Sequence, residues 1–102
     1  MTQCLTFYCD RPQTQALCNR FGDRLQKLSK SDLIDFQTCI CGALNTSDPA
    51  KMFDEDELIG LSDAMNIDCT EDFGFAIELI AGLEAGYGPA LNLGLAEMIY
   101  SR

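Results

Sequence analysis

The chain has no histidine. This excludes Ser-His-Asp and Cys-His catalysis, histidine-containing zinc sites and the commonest general base. Positive charge is scarce beyond the first third: after Lys51 no basic residue occurs until Arg102. That leaves no cationic footprint for nucleic acid in the second half, so no direct nucleic-acid contact is expected. No apolar run approaches the ~20 residues of a membrane helix. The opening MTQCLTFYCDR lacks the basic and long apolar regions of a signal peptide. A soluble, cytoplasmic protein without membrane association is therefore expected. Glycine-rich phosphate loops are missing as well, since Gly82, Gly86 and Gly88 follow a helical pattern and not a strand.

The six cysteines, Cys4, Cys9, Cys18, Cys39, Cys41 and Cys69, include no C-x-x-C redox motif. Cys39 and Cys41 form a C-x-C pair and Cys4 and Cys9 a C-x₄-C pair. Neither has the knuckle spacing of a zinc site, and residues two apart on a helix face different directions. With no export signal, the expectation is reduced thiols packed as small core residues, with disulfides or metal ligation as the alternatives. Calcium loops fail in detail. A loop starting at Asp68 would put Phe73 where glycine is required and Leu79 where glutamate is required; one starting at Asp54 puts Ile59 at the glycine position. No metal and no cofactor are expected. Paired carboxylates abound, but a glycosidase-type cleft is hard to build in a helical chain of 102 residues, and no enzymatic activity is expected.

What is present is helical periodicity. No stretch alternates for long enough to suggest a sustained strand. Residues 70–85, TEDFGFAIELIAGLEA, are apolar almost all round apart from Glu78 and Glu84, which predicts a buried helix. Thr70 is its N-cap, Glu71 and Asp72 suit its dipole, and Gly86 and Gly88 stop it before Pro89 opens another helix. Asp10 caps a helix that opens with Arg11 and Pro12 and carries Leu17, Phe21, Leu25 and Leu28 on one face, with Arg20, Arg24 and Lys27 beside it. Ser31 caps a second helix with Leu33, Phe36, Ile40 and Ala43 or Leu44 on its face. A turn follows at NTSDP, residues 45–49. Asp54 and Glu57 have capping-box spacing ahead of a third helix with Leu58, Leu61 and Met65 inside, ending near Asn66. The last helix runs from about Pro89 to Tyr100, with small residues at Ala90 and Gly94 that permit close packing. Residues 2–9 fit either a short strand or one or two helical turns. The chain is long enough to bury a core without staples. The expected architecture is a single all-α domain over 1–102, a compact bundle of about five helices around the helix at 70–85.

Charge is the feature that bears most on function. The net charge is −9, from 16 acids and 7 bases. Residues 1–30 carry a surplus of +3, whereas residues 31–101 hold Lys51 against 14 acids. Acids at helix starts complement the dipole and keep a small protein soluble, and that alone accounts for many of them. The sharper expectation is a continuous negative surface that occupies a cationic groove on a basic, nucleic-acid-binding protein, as carboxylates along helices can imitate duplex phosphates. The residues expected to contact that partner are Asp54, Glu55, Asp56, Glu57, Asp63, Glu71 and Asp72. Arg20, Arg24 and Lys27 are expected to pair with the acidic half or with another copy. In composition and charge the chain is similar to phage- or plasmid-borne inhibitors of host defence, such as anti-CRISPR and anti-restriction proteins, and to immunity proteins and antitoxins that neutralise basic nucleases. That resemblance implies a non-enzymatic inhibitor. The alternative is a structural or adaptor subunit, such as a homodimer formed through the Ala90/Gly94 face.

Overall fold

A computed structural model describes residues 4–46 and 51–101, and these form six α-helices. In chain order they are α1 (Leu5–Tyr8), α2 (Pro12–Phe21), α3 (Lys30–Thr46), α4 (Glu55–Ala64), α5 (Glu71–Ile80) and α6 (Gly88–Tyr100), with a 3₁₀ turn at Ala85–Tyr87 before α6. The all-α expectation holds. Of the N-terminal segment, Leu5–Tyr8 form one helical turn, and residues 2 and 3 lie outside the described residues; of NTSDP, Asn45 and Thr46 extend α3 and the rest lies outside the described residues.

Caps explain most of the boundaries. Thr70 caps α5 as expected, its hydroxyl accepting from the Phe73 amide at 3.1 Å. Asp54 caps α4 by accepting from the Asp56 amide at 3.1 Å. Pro12 and Pro89 open α2 and α6. Two caps differ from expectation. At α2 the cap is Arg11 and not Asp10, because the Thr14 hydroxyl turns back to accept from the Arg11 amide at 2.9 Å and donates to the Cys9 carbonyl at 2.6 Å. The Asp10 carboxylate instead accepts from the Gln15 amide group. At α3 Ser29, not Ser31, receives the Asp32 amide at 3.1 Å.

Two helices are shorter than their apolar patterns suggest. α2 ends at Phe21 because Gly22 adopts φ +97°. The chain then makes tight turns, with Leu25 N–H donating to the Gly22 carbonyl and Leu28 N–H to the Leu25 carbonyl. The turns still bury Leu25 and Leu28 beside Leu17 and Phe21, so the four-four-three spacing reaches the core without a continuous helix. Leu25 itself sits at φ +53°, a conformation that bulky residues seldom adopt. Likewise α5 stops at Ile80, and Gly82 at φ +92° turns the chain into an extended segment. There the Phe53 amide donates to the Leu83 carbonyl at 2.7 Å, Gly82 to Phe53 at 2.9 Å and Ala85 to Lys51 at 2.7 Å. This pairing of residues 51–53 with 82–85 takes over backbone groups that another turn of α5 would have used.

α3 packs against α4, α5 and α6, α5 also packs against α2 and α4, and α1 rests on α2 and α6. One apolar cluster joins them, with Leu33, Phe36, Ile40, Phe73, Ile77, Ile80, Leu91 and Leu95 all fully buried. The buried helix expected at 70–85 therefore lies in the core, in its shorter form. Gly94 does permit close packing, but within the chain: a Cβ there would lie 3.1 Å from Leu5 Cδ1 and from Tyr8 Cβ. The face assigned to self-association is thus partly occupied by α1. No described helix is long and apolar enough to cross a membrane.

Candidate functional site

The expected contact residues divide into two groups. Asp54, Glu55, Asp56 and Glu57 are all exposed at the start of α4. Asp63, in the last turn of α4, is separated from them by most of a helix about 15 Å long. Glu71, exposed, and Asp72, half-buried, follow across the connection into the first turn of α5.

Three further acids lie near Glu71 and Asp72, none of them among the expected contact residues; in the sequence Asp68 reads only as the start of a calcium loop. Asp32, in the first turn of α3, is 7% exposed, and its Oδ1 accepts from the Thr70 hydroxyl at 2.9 Å. Thr70 thereby ties the start of α3 to the start of α5. Partial burial, followed by the charges of Asp32 and Asp68, pushes the Asp35 carboxyl above its ordinary range. Asp32, Asp35, Asp68, Glu71 and Asp72 thus gather where α3 and α5 begin. No signal in a single sequence links positions 32 and 70, which only tertiary packing brings into contact.

Cations border these acids: Lys30 opens α3, and two arginines lie over aromatic rings. Arg11 stacks over Tyr87 at 4.8 Å, and Arg20 stacks over Phe75 at 4.3 Å. Because α2 stops at Phe21, Arg20, Arg24 and Lys27 do not form the single helical stripe expected of them.

Helix dipoles sort the acids by physical cause. Asp32, Glu55, Asp56, Glu57, Glu71 and Asp72 occupy first turns, where negative charge is favourable. Asp63, Glu78 and Glu97 are exposed in the last turns of α4, α5 and α6. There an anion opposes the dipole, an effect of about 0.3–1 kcal/mol on exposed helices. The last turns of α4, α5 and α6 carry no basic residue to compensate.

The thiols span a range of environments. Cys9, Cys18 and Cys39 are buried, Cys4 and Cys41 half-buried and Cys69 exposed, and all six are free. Burial, with smaller contributions from Asp35 and Cys69, pushes the Cys39 thiol up to about 11. Among the described residues no group of three or more Cys, Asp or Glu side chains is arranged to hold a metal ion. No protein-family model, curated protein or solved structure matches this chain.

Proposed function

We propose that this protein is a non-enzymatic inhibitor that binds a basic, nucleic-acid-handling protein and blocks its cationic surface. The observation that supports this reading is Asp63, exposed in the last turn of α4, where the dipole disfavours an anion and no basic residue offsets it. A need for capping accounts for the first-turn acids but not for Asp63. The contact surface comprises Asp54, Glu55, Asp56 and Glu57 at the start of α4, Asp63 in its last turn, and Glu71 and Asp72 in the first turn of α5. A DNA-mimicking inhibitor of host defence, of the anti-CRISPR or anti-restriction kind carried by phage, is the first setting. An immunity protein or antitoxin against a basic nuclease is the second.

The test is affinity capture from nuclease-treated lysate of the source organism, with washes at low and high salt. A basic nucleic-acid-binding protein retained at low salt and released at high salt is expected. Asp63→Lys with Glu71→Lys should weaken its capture at least tenfold at unchanged helicity. Capture that ignores both salt and these reversals would refute an electrostatic inhibitor.

A second function, an adaptor that self-associates, is favoured by α6 alone. Leu93 is 54% exposed and Tyr100 90% exposed, seven residues apart on one helical face. It predicts a mass by light scattering that grows with concentration and falls back to the monomer in Leu93→Asp.

A further inference from the structure

Two thiols flank the first turn of α1 and share their neighbours. Cys4 Sγ lies 3.4 Å from the Thr6 hydroxyl. Cys18 Sγ donates to the Asp23 carbonyl at 3.7 Å. The same carbonyl accepts at 2.8 Å from the Leu5 amide, which is bonded directly to Cys4. The Asp23 carbonyl thus joins the Cys18 thiol to the backbone next to Cys4, and both cysteines lie at the single turn of α1. Their environments differ. Cys4 is half-buried, and hydrogen bonds from the Thr6 hydroxyl and then the Phe7 amide favour its thiolate. Cys18 is buried, and its burial, ahead of the charge of Asp23, disfavours ionisation. An accessible, thiolate-prone cysteine beside a protected one is the arrangement of a peroxidatic and resolving pair.

We propose that Cys4 and Cys18 form an oxidation site that takes a hydroperoxide as its oxidant and closes to an intramolecular disulfide. The Cys4 thiolate attacks one peroxide oxygen. The O–O bond breaks, an S–O bond forms, and the remaining oxygen leaves as hydroxide, or as alkoxide from an organic peroxide. Cys4 is now a sulfenic acid. The Cys18 sulfur then attacks Cys4 Sγ, the S–O bond breaks, and the sulfenic oxygen leaves as water with the Cys18 proton. Two thiols are oxidised and one peroxide is reduced. The product ties the start of α1 to α2.

The reduced full-length chain, treated with a few equivalents of hydrogen peroxide, provides the test. After the remaining thiols are alkylated, cleavage before aspartate separates fragment 1–9 from fragment 10–22. The two fragments are expected to stay linked, carrying one alkyl group that peptide fragmentation places on Cys9 and so leaves the link on Cys4 and Cys18, and to separate with dithiothreitol. Closing a loop of about 15 residues should raise the melting temperature on the order of 10 °C. Cys18→Ala should stop the reaction at the Cys4 sulfenic acid, which dimedone traps, and Cys4→Ser should abolish the link. Because Cys4 is half-buried, Cys4→Ser carries the test even where Cys18→Ala unfolds. A link through Cys9, a disulfide between two chains, or oxidation of Cys4 no faster than of exposed Cys69 would each overturn the proposal.

Discussion

Replacing Thr70 with valine removes two interactions and leaves the shape of the side chain nearly unchanged. The Thr70 hydroxyl accepts from the Phe73 amide, closing the first turn of α5, and donates to Oδ1 of Asp32, a residue only 7% exposed at the α3–α5 junction. Loss of an N-cap costs about 1 kcal/mol. A buried carboxylate oxygen that loses a charge-assisted hydrogen bond costs about 1.5–3 kcal/mol more. Thr70→Val should therefore destabilise the protein by about 2–4 kcal/mol, which lowers the melting temperature by about 10–20 °C in a domain of this size. Thr70→Ser keeps both hydrogen bonds and should stay within about 0.5 kcal/mol of the parent chain. Urea unfolding followed by circular dichroism measures each value. A double-mutant cycle with Asp32→Ala isolates the pair, and a coupling of about 1–2 kcal/mol is expected. A Thr70→Val protein as stable as the parent, or a cycle that is simply additive, would show that the junction does not depend on this bond.

Three other outcomes follow from the packing and the charges. Gly94→Val should cost about 2 kcal/mol or more in urea unfolding, since its branches enter the space held by Leu5 and Tyr8. Gly94→Ala should cost less, as the helix propensity gained, about 1 kcal/mol, offsets a contact of 3.1 Å. Asp35→Asn should stabilise the protein near neutral pH. The folded chain holds the Asp35 proton more tightly than the unfolded chain does, so ionisation opposes folding as pH rises through the carboxylate range. The advantage of Asp35→Asn should accordingly vanish on acidification; a benefit independent of pH would contradict this. Cys39, buried and pushed up to about 11, should resist iodoacetamide at pH 8 until the protein unfolds, while exposed Cys69 reacts at once, as mass mapping would show.

Local chemistry was legible in the sequence wherever it decided the outcome. Thr70, Asp54, Pro12 and Pro89 act within a few residues of themselves, and each sits where its side chain or ring predicts. The differences arise where distant groups compete. Residues 81–85, Ala-Gly-Leu-Glu-Ala, continue the helical pattern of α5, yet backbone bonds to residues 51–53 claim them. At Gly22 the Gln26 side chain occupies the space a Cβ would need, so the turn after α2 is built around that glycine. Periodicity registered the burial of Leu25 and Leu28 but not the turns that deliver it. The same division holds for the acids: their excess was plain from composition, whereas the convergence of Asp32, Asp35 and Asp68 at one junction depends on how α3 meets α5.

Position along the helix offers a way to test the proposed recognition role against solubility as the cause of the acidity. A protein that needed only negative charge for solubility would gain it at lowest energetic cost in first turns, and Asp54, Glu55, Asp56, Glu57, Glu71 and Asp72 take those places. Asp63 is different, because in the last turn of α4 a lysine would serve solubility equally well and the dipole better. Asp63→Lys should therefore raise the melting temperature while lowering affinity for a cationic partner. A variant that gains stability and keeps its partner would assign Asp63 to neither purpose, whereas opposite changes in the two quantities would mark a residue retained for binding at the expense of the fold.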